Sequence, residues 1–570
     1  MKFLLRWGRT ANSSIAVTQP EGVPVSIGGP GSSYTCVWHA GVLTNRDALA
    51  QRLDLSKATP TAELFALLYR RYGTTAATLA EGSLTWVVWD KSEKRLAVIG
   101  DRLGLHRLYY RLSGDALTLS DRLEALLDPH PPPPNHRSIV AHIHARPPAP
   151  GETYYQGISV LRPGELLDIT PGTCRPVRYW RIAAQPLLKL RDDREYADCF
   201  RELLFRVVPA YMPDRRAAVA LSSGMDSTCI AAAIKTVNPT ADLVACTWQV
   251  QALPEADESV YAAAVAKHLR LTPMTIDVVR HWPLSRNGVV STFRATPVYN
   301  LYADIWEAIF HQMSHIGADV LFTGLGGDHL FGDNVFAYPD LLLKGRWFEL
   351  ARQLSAHRPI SRMSLGRVLR TMMLAPILRG YVPGWQQLRQ SPQPWLTKVH
   401  RPQFRETLPQ LDIPRRISPG RQQRLGALQD PFLPHAADLM MRQAEAHQIE
   451  LRHPLLDHRL VEFAASLPTT QTFRAGERKI VVRNAMKGYL PDCVLNLRHK
   501  IEPTAIAHTV LREHNRDWIL DLSTGMRLAE LGYVDEACFR ETTSGYVEKK
   551  HNYMHFWHTL TLEDWLRRHF

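Results

Sequence analysis

The chain has 570 residues, of which 45% are hydrophobic and 22% charged, and a formal charge of +13. That is too long for one ordinary core, and the composition is globular rather than disordered or fibrous. No apolar run approaches the ~18 residues needed to cross a bilayer, and the opening MKFLLRWGR is too short for a secretory signal, so a cytoplasmic protein without a membrane anchor is expected.

Seven scattered cysteines with no CxxC pair argue against a disulfide framework and a zinc ribbon. The basic excess is spread along the chain and contains no run of five or six like charges, which fits a generally Arg-rich composition better than a nucleic-acid footprint. Its densest stretch, Pro376 to Leu425, carries nine Arg or Lys against Glu406 and Asp412. Rich in Pro and Gln, it is expected to be irregular and exposed, a docking surface for a substrate or partner.

In chain order, the first 180 residues read as short β-like runs separated by turns. They include SLTWVVWD (Ser83 to Asp90), RLAVIGD (Arg95 to Asp101), RLYYRL (Arg107 to Leu112) and GELLDI (Gly164 to Ile169). Two stretches, Thr61 to Gly73 and Asp121 to Asp128, have helical spacing, so an α+β sandwich is expected. Asp128 to Arg146 begins with a proline-rich, PPII-like segment. Its histidines, His130, His136, His142 and His144, follow no metal-ligand template. A boundary falls between Trp180 and Arg194, dividing the chain into 1–185 and 195–570.

From Asp214 the order becomes strand, helix, strand, helix, strand: AAVAL, STCIAAAIKTV, DLVACTW, DESVYAAAVAKHL, DVLFTG. Such alternation predicts a doubly wound parallel sheet with its ligand at the carboxyl ends of the strands. Each of these ends carries a polar signal. The first, LSSGMDS (Leu221 to Ser227), is a strand, a tight loop and a helix N-terminus, which aims backbone N–H groups and a helix dipole at one point and suits phosphate. It is not a Walker loop, because no GxxxxGK[ST] occurs. The second end offers Thr247 and Trp248 before PEADES, and the third offers Thr323, Gly324, Leu325, Gly326, Gly327 and Asp328.

The expected ATP-binding set is Leu221, Ser222, Ser223, Gly224, Asp226, Ser227, Thr247, Trp248, Thr323 and Gly324. Asp226 and Asp328 are hard oxygen ligands suited to Mg²⁺; the plain alternative for Asp226 is a helix N-cap. Near the C-terminus, His551, His555 and His558 are spaced for one helical face, interleaved with Tyr553, Phe556 and Trp557, and core packing is expected of them.

The SSGMDS loop resembles the SGGxDS pyrophosphate loop of ATP pyrophosphatases that form acyl-adenylates, with Ser223 where the first glycine is usual. The succession GVLTNRDAL, ELFALLYRRYG, LAEGSLTWVVWD, DRLGLHRLYY, ALTLSDRLEALL and YQGISVLRPGELLDI looks like the class II (Ntn-type) glutamine amidotransferase domain of asparagine synthetases. IELRHPLLDHRLVEFAASLP, GERKIVVRNAMKGYLPDCVLNLRHK and TLEDWLRRHF extend the resemblance to the asparagine synthetase superfamily as a whole. It implies an amidotransferase-like sandwich followed by an ATP-pyrophosphatase sheet.

In that family the amidotransferase nucleophile is a cysteine directly after the initiator methionine. Here Lys2 follows Met1, and the first cysteine, Cys36, lies in a strand-like run, so a degenerate domain that does not hydrolyse glutamine is expected. The resemblance places Lys500 near the phosphates, as a group stabilising charge on the adenylate. Lys479 and Arg483 either support the pyrophosphate or are helix-face charges, the latter being favoured. For the general base, Glu445 and Glu450 are candidates by position only, and Glu450 is equally a structural partner for Arg452.

Asparagine synthetases carry a glutamate between the two glycines of the third loop and β-lactam synthetases a tyrosine; this chain has Leu325. The remaining branch it resembles is the lasso peptide cyclases. That resemblance implies ATP-dependent adenylation of an Asp or Glu side chain in a short precursor peptide, then attack by the peptide's N-terminal amine to close a macrolactam, with a leader peptidase as a further partner. The alternatives are an amide ligase using ammonia or an internal amine on a small substrate, and a tRNA-modifying pyrophosphatase. The last is disfavoured by the lack of a CxxC pair or a recognisable RNA-binding module.

Overall fold

Period-two alternation builds the N-terminal half. Among the described residues it has ten strands: β1 (Leu4–Gly8), β2 (Ile15–Thr18), β3 (Tyr34–Leu43), β4 (Gly82–Asp90), β5 (Arg95–Ile99), β6 (Tyr109–Ser113), β7 (Ala116–Ser120), β8 (Ile158–Val160), β9 (Glu165–Thr170) and β10 (Thr173–Arg178). They make two antiparallel sheets, in the orders β2-β1-β7-β6-β8 and β10-β9-β5-β4-β3. In β4, Val87 faces the other sheet and meets Phe3, Leu5 and Trp7. Trp86 and Val88 face the opposite way, onto Leu64, Phe65 and Leu68 of the helix Thr61–Tyr72. Phe65 stacks on Trp86 at 4.7 Å. The helix His136–Ile143 covers the far face of the first sheet through Ile139, Val140 and Ile143, completing a helix–sheet–sheet–helix sandwich. The computed structural model describes all residues except 1–2, 9–14, 19–33, 251–252, 254–256, 278–294, 333–335, 362–363, 376, 379–391, 415 and 498–503.

The C-terminal half is organised by five parallel strands: β11 (Ala217–Ala220), β12 (Leu243–Gln249), β13 (Thr272–Asp277), β14 (Val320–Phe322) and β15 (Glu450–Arg452), in the order β13-β12-β11-β14-β15. Both faces are covered. Ala217 and Val219 pack toward the helices Asp193–Val207 and Met225–Val237, and Ala218 toward the helix Ala303–His315. That is why β11 reads as an unbroken apolar run. The chain moves outward one way from β11 through β12 to β13, then returns to the other side as β14. The loops after β11 and β14 therefore leave the sheet side by side, at its topological switch point.

The two halves are joined by buried polar contacts. Arg459 donates to Asp457 and reaches Glu81 at 2.7 Å and Thr44 at 3.1 Å; Tyr109 donates to Asp438 at 2.8 Å. Between them lies a set of imidazoles. His142 and His435 are buried, His558 lies 5.5 Å from His142 ring to ring, and Tyr299 is 5.2 Å from His435 and 4.8 Å from His558. Burial pushes all three below the ordinary histidine value, His558 to about 3. Arg107 and Arg442 push His435 the same way, His558 and His435 do so for His142, and His555 for His558.

Their depressed folded pKa values leave stability intact above the ordinary value of 6.5 and remove it as pH falls below that, because the unfolded chain binds protons the folded one refuses. Each such histidine should cost about 1.4 kcal/mol per pH unit in that window. Urea unfolding should show stability declining steadily as the pH is lowered from 6.5, and His435→Leu should lessen the slope. An unchanged slope would show that His435 does not titrate with unfolding.

Three expectations are corrected here. Asp121 to Asp128 holds only a short 3-10 turn, Leu123–Leu126. His551, His555 and His558 do not share a helical face: the last helix is Phe556–His569, so His551 precedes it and His555 only caps it. The basic stretch Pro376 to Leu425 is not uniformly irregular and exposed. It contains the helices Arg401–Glu406 and Pro419–Leu428, and Arg424 is buried, donating at 2.7 Å to the carbonyls of Ala464 and Leu467. A planar guanidinium here satisfies carbonyls at a helix C-terminus. Arg379, Arg389 and Arg415 of that stretch lie outside the described residues.

Candidate nucleotide and metal site

After β11 the chain turns through Leu221–Gly224 into the 13-residue helix Met225–Val237. Its N-cap is Gly224, which has no side chain to offer, so no side chain caps the first turn. Asp226 lies inside that turn and is not the cap, which removes the plain reading of this residue. Leu221 buries its side chain in the core and donates its amide to Cys246 O at 2.8 Å. The loop's hydroxyls organise its backbone: Ser227 Oγ accepts from Ser222 N at 3.1 Å, and Ser222 Oγ accepts from Gly224 N at 3.1 Å. Ser223 N donates to a carboxylate, Glu258 Oε2, at 2.8 Å. This carboxylate is a natural stand-in for an anionic oxygen, and it shows that the loop amide is aimed where a phosphate could accept from it.

The loop after β14 closes onto Asp226. A Cβ on Gly327 would lie 2.1 Å from Asp226 Cγ, and one on Gly324 would lie 2.8 Å from Asp226 Cβ. Only glycine permits this approach. Thr323 Oγ1 is held by His453 Nδ1 at 2.7 Å, just past β15; burial pushes His453 down to about 3, which keeps that ring neutral. Thr247 is buried at the carboxyl end of β12. Its neighbour Trp248 leans the other way, edge-on to Trp306 at 5.8 Å.

The structure brings Asp226 and Asp328 together on one cation. Lys479 Nζ lies 2.6 Å from Asp226 Oδ2 and 2.7 Å from Asp328 Oδ1. Only 7% exposed, Lys479 sits immediately before the helix Ile480–Ala485. Burial lowers its pKa, but the two carboxylates outweigh burial and leave it above the ordinary lysine value. Two carboxylate oxygens converging on one point are a hard donor set. They fit a Mg²⁺ ion completed by phosphate oxygens and water, the usual way that ion is held beside a nucleotide. Asp226 and Asp328 are the residues that would hold it; the ion would supply charge neutralisation on a leaving pyrophosphate.

Of the two readings of Lys479, support for the pyrophosphate or a helix-face charge, the favoured helix-face reading does not hold: its ammonium is buried on two aspartates. A signal for it exists: a lysine directly before an apolar helical start stands at the positive end of the dipole, where a cation is unfavourable, and therefore needs acidic partners. Arg483 is a structural residue, donating to the carbonyls of Arg478, Leu495 and Leu497. Lys500 lies outside the described residues.

The two candidate bases are corrected. Glu445 ends the helix Phe432–Glu445 and is ion-paired with Arg122 of the N-terminal half. Glu450 opens β15 and pairs two-pronged with Arg452 at 2.8 and 2.9 Å. Both stand at the amino edge of the sheet, opposite the loops, because the turn from helix to β15 enters from that side. Cys36 is 1% exposed, with its thiol pushed up to about 12 by burial, so it supplies no thiolate.

Residues 200–567 match the family model described as asparagine synthase. The chain belongs to the asparagine synthase family. Residues 35–180 match the glutamine amidotransferase domain model. As an asparagine synthase family member, the protein is an ATP-dependent, amide-forming ligase. Among similar proteins, asparagine synthetase [glutamine-hydrolyzing] 3 of Bacillus subtilis is 23% identical over 84% of this chain and 77% of its own length. Amidase chry2 of Gibberella zeae is 23% identical over 86% and 79%. A solved glutamine phosphoribosylpyrophosphate amidotransferase from B. subtilis overlaps 56% of this chain and 84% of its own, at 11% identity and a TM-score of 0.23. No described helix is long and apolar enough to cross a membrane.

Proposed function

We propose that this asparagine synthase family ligase closes a macrolactam in a short precursor peptide, as a lasso peptide cyclase does. Asp226 and Asp328 would hold a Mg²⁺ ion, which would neutralise charge on the ATP phosphates. The side-chain carboxylate of an Asp or Glu in the peptide attacks the α-phosphorus and pyrophosphate leaves; the peptide's N-terminal amine then attacks the acyl carbon, loses a proton, and AMP leaves. Holding amine and adenylate in one pocket supplies the effective concentration that a free amine lacks.

The observation that carries this reading is Leu325. It sits on the loop that touches Asp226, half-buried against the core, with its amide donating to Thr323 Oγ1 at 3.3 Å. An apolar side chain there offers no carboxylate to pair with the ammonium of a free amino acid, which favours an acyl group already part of a peptide. The buried thiol of Cys36 agrees with an amine that does not come from glutamine. The runner-up is an amide ligase acting on a small substrate with ammonia or an internal amine, favoured by the names of the relatives above.

Purified protein given ATP and either aspartate with ammonia or a candidate precursor peptide separates the two. Macrolactam closure predicts AMP release only with the peptide, accompanied by loss of one water from its mass. AMP release with aspartate and ammonia, and asparagine as product, would overturn it.

A further inference from the structure

Lys479 reaches the two aspartates from a third element, 253 residues from Asp226 along the chain, and its placement is costly. Its backbone has a φ of +58°, a conformation that side-chain-bearing residues seldom adopt. Its ammonium is buried, and the dipole of the helix it precedes opposes a positive charge there. A lysine needing only a counter-ion would find one in solvent at lower cost. What this placement achieves is occupancy: Nζ lies on the point where Asp226 Oδ2 and Asp328 Oδ1 converge. On the reading above, that point belongs to a divalent cation. An ammonium and a metal ion cannot share it, because at such range their repulsion is strong in a partly desolvated site.

We propose that Lys479 is the resident counter-cation of the nucleotide-free enzyme, holding the metal position so that the divalent ion enters only together with the nucleotide; this rests on the assignment of Asp226 and Asp328 as metal ligands. Before nucleotide arrives, the ammonium keeps two facing carboxylates from repelling each other and holds the two loops in register. When nucleotide binds, its phosphate oxygens offer the ammonium new partners and release the carboxylates to the metal. Glu258 plays the complementary part, accepting from Ser223 N at 2.8 Å.

Mn²⁺, followed by the loss of its free-ion paramagnetic resonance signal, tests this on the full chain. Wild type should take up Mn²⁺ with a non-hydrolysable ATP analogue, beyond the uptake by the analogue alone, and leave it free without one. Lys479→Met, which keeps an unbranched side chain one atom shorter and removes its charge, should bind Mn²⁺ without nucleotide at least about tenfold more tightly than wild type. Asp226→Asn/Lys479→Met should lose that gain. Lys479→Gln retains a donor for the carboxylates and carries the same expectation if the methionine variant does not fold.

In melts without nucleotide, Mn²⁺ should raise the midpoint of the lysine variants and leave wild type unmoved. Equal nucleotide-free affinity in wild type and the lysine variants would overturn the counter-cation role while leaving the metal site standing. Undiminished Mn²⁺ uptake by Asp226→Asn with the ATP analogue would instead overturn the metal assignment itself.

Discussion

Alanine at position 226 is expected to abolish ATP-dependent AMP formation, with a fall of about 1,000-fold or more, the scale seen when a group stabilising developing charge is removed. Asp226 supplies one of the two carboxylates that converge at Lys479, and it does so from the first turn of the helix Met225–Val237. Its loss leaves Asp328 alone to hold a metal ion and leaves Lys479 buried with half of its charge balance gone. Removing one partner of a buried pair is destabilising by a few kcal/mol, so the melting midpoint should fall as well. Asp226→Asn separates the two effects, since it keeps the shape and the contacts to the glycine loop while discarding the charge. Radiolabelled ATP turnover beside a thermal melt makes the measurement. Full activity in either variant would contradict the metal role.

Gly327→Ala should also cost activity heavily, by about 100-fold, the penalty of displacing a reacting group by about 1 Å. The added methyl would lie 2.1 Å from Asp226 Cγ and 2.2 Å from its Oδ1. Asp226 is pinned there by Lys479, so either the carboxylate or the whole third loop must give way. The backbone at Gly327 is helical, within the turn Gly327–Phe331, where alanine is intrinsically better than glycine by about 1 kcal/mol. The substitution thus favours the fold locally while it disrupts the site. A drop in AMP formation is expected, with a smaller fall in melting midpoint than in Asp226→Ala because both charges of the pair remain; retained activity would mean that the contact of this loop with Asp226 is not needed.

Much of this arrangement was legible in the residues themselves. Apolar runs stopping at LSSGMDS and at TGLGGD are strand ends because four to six apolar residues cannot continue into glycines and serines, and alternation of strand with helix leaves a parallel sheet as its natural outcome. The places where the reading went astray share a cause. Lys479, Glu445 and the arginines of the basic stretch are charged residues on or beside helices, and a charge on a helix looks the same in sequence whether it faces water, a carbonyl row or a partner from another domain. Glu445 belongs to Arg122, Arg424 to the end of the helix His458–Ser466, and Lys479 to two aspartates. Local sequence can show that such a charge needs a partner, as it does for Lys479, but which residue supplies it lies far along the chain.

The chain by itself determined the local units: which segments are strands, which loops follow them, and that two of those loops carry an aspartate beside glycine. These follow from short-range sterics and from the periodicity of apolar side chains, which need only neighbouring residues to act. Which loops become neighbours was decided by tertiary structure. The order β13-β12-β11-β14-β15 sets the loop of Asp226 against that of Asp328, and the helix Ile480–Ala485, packing on the helix Asp193–Val207, carries Lys479 between them. That outcome depends on how two covered faces of one sheet are filled, a balance of buried area and paired charge summed over the whole molecule, which no stretch of sequence contains.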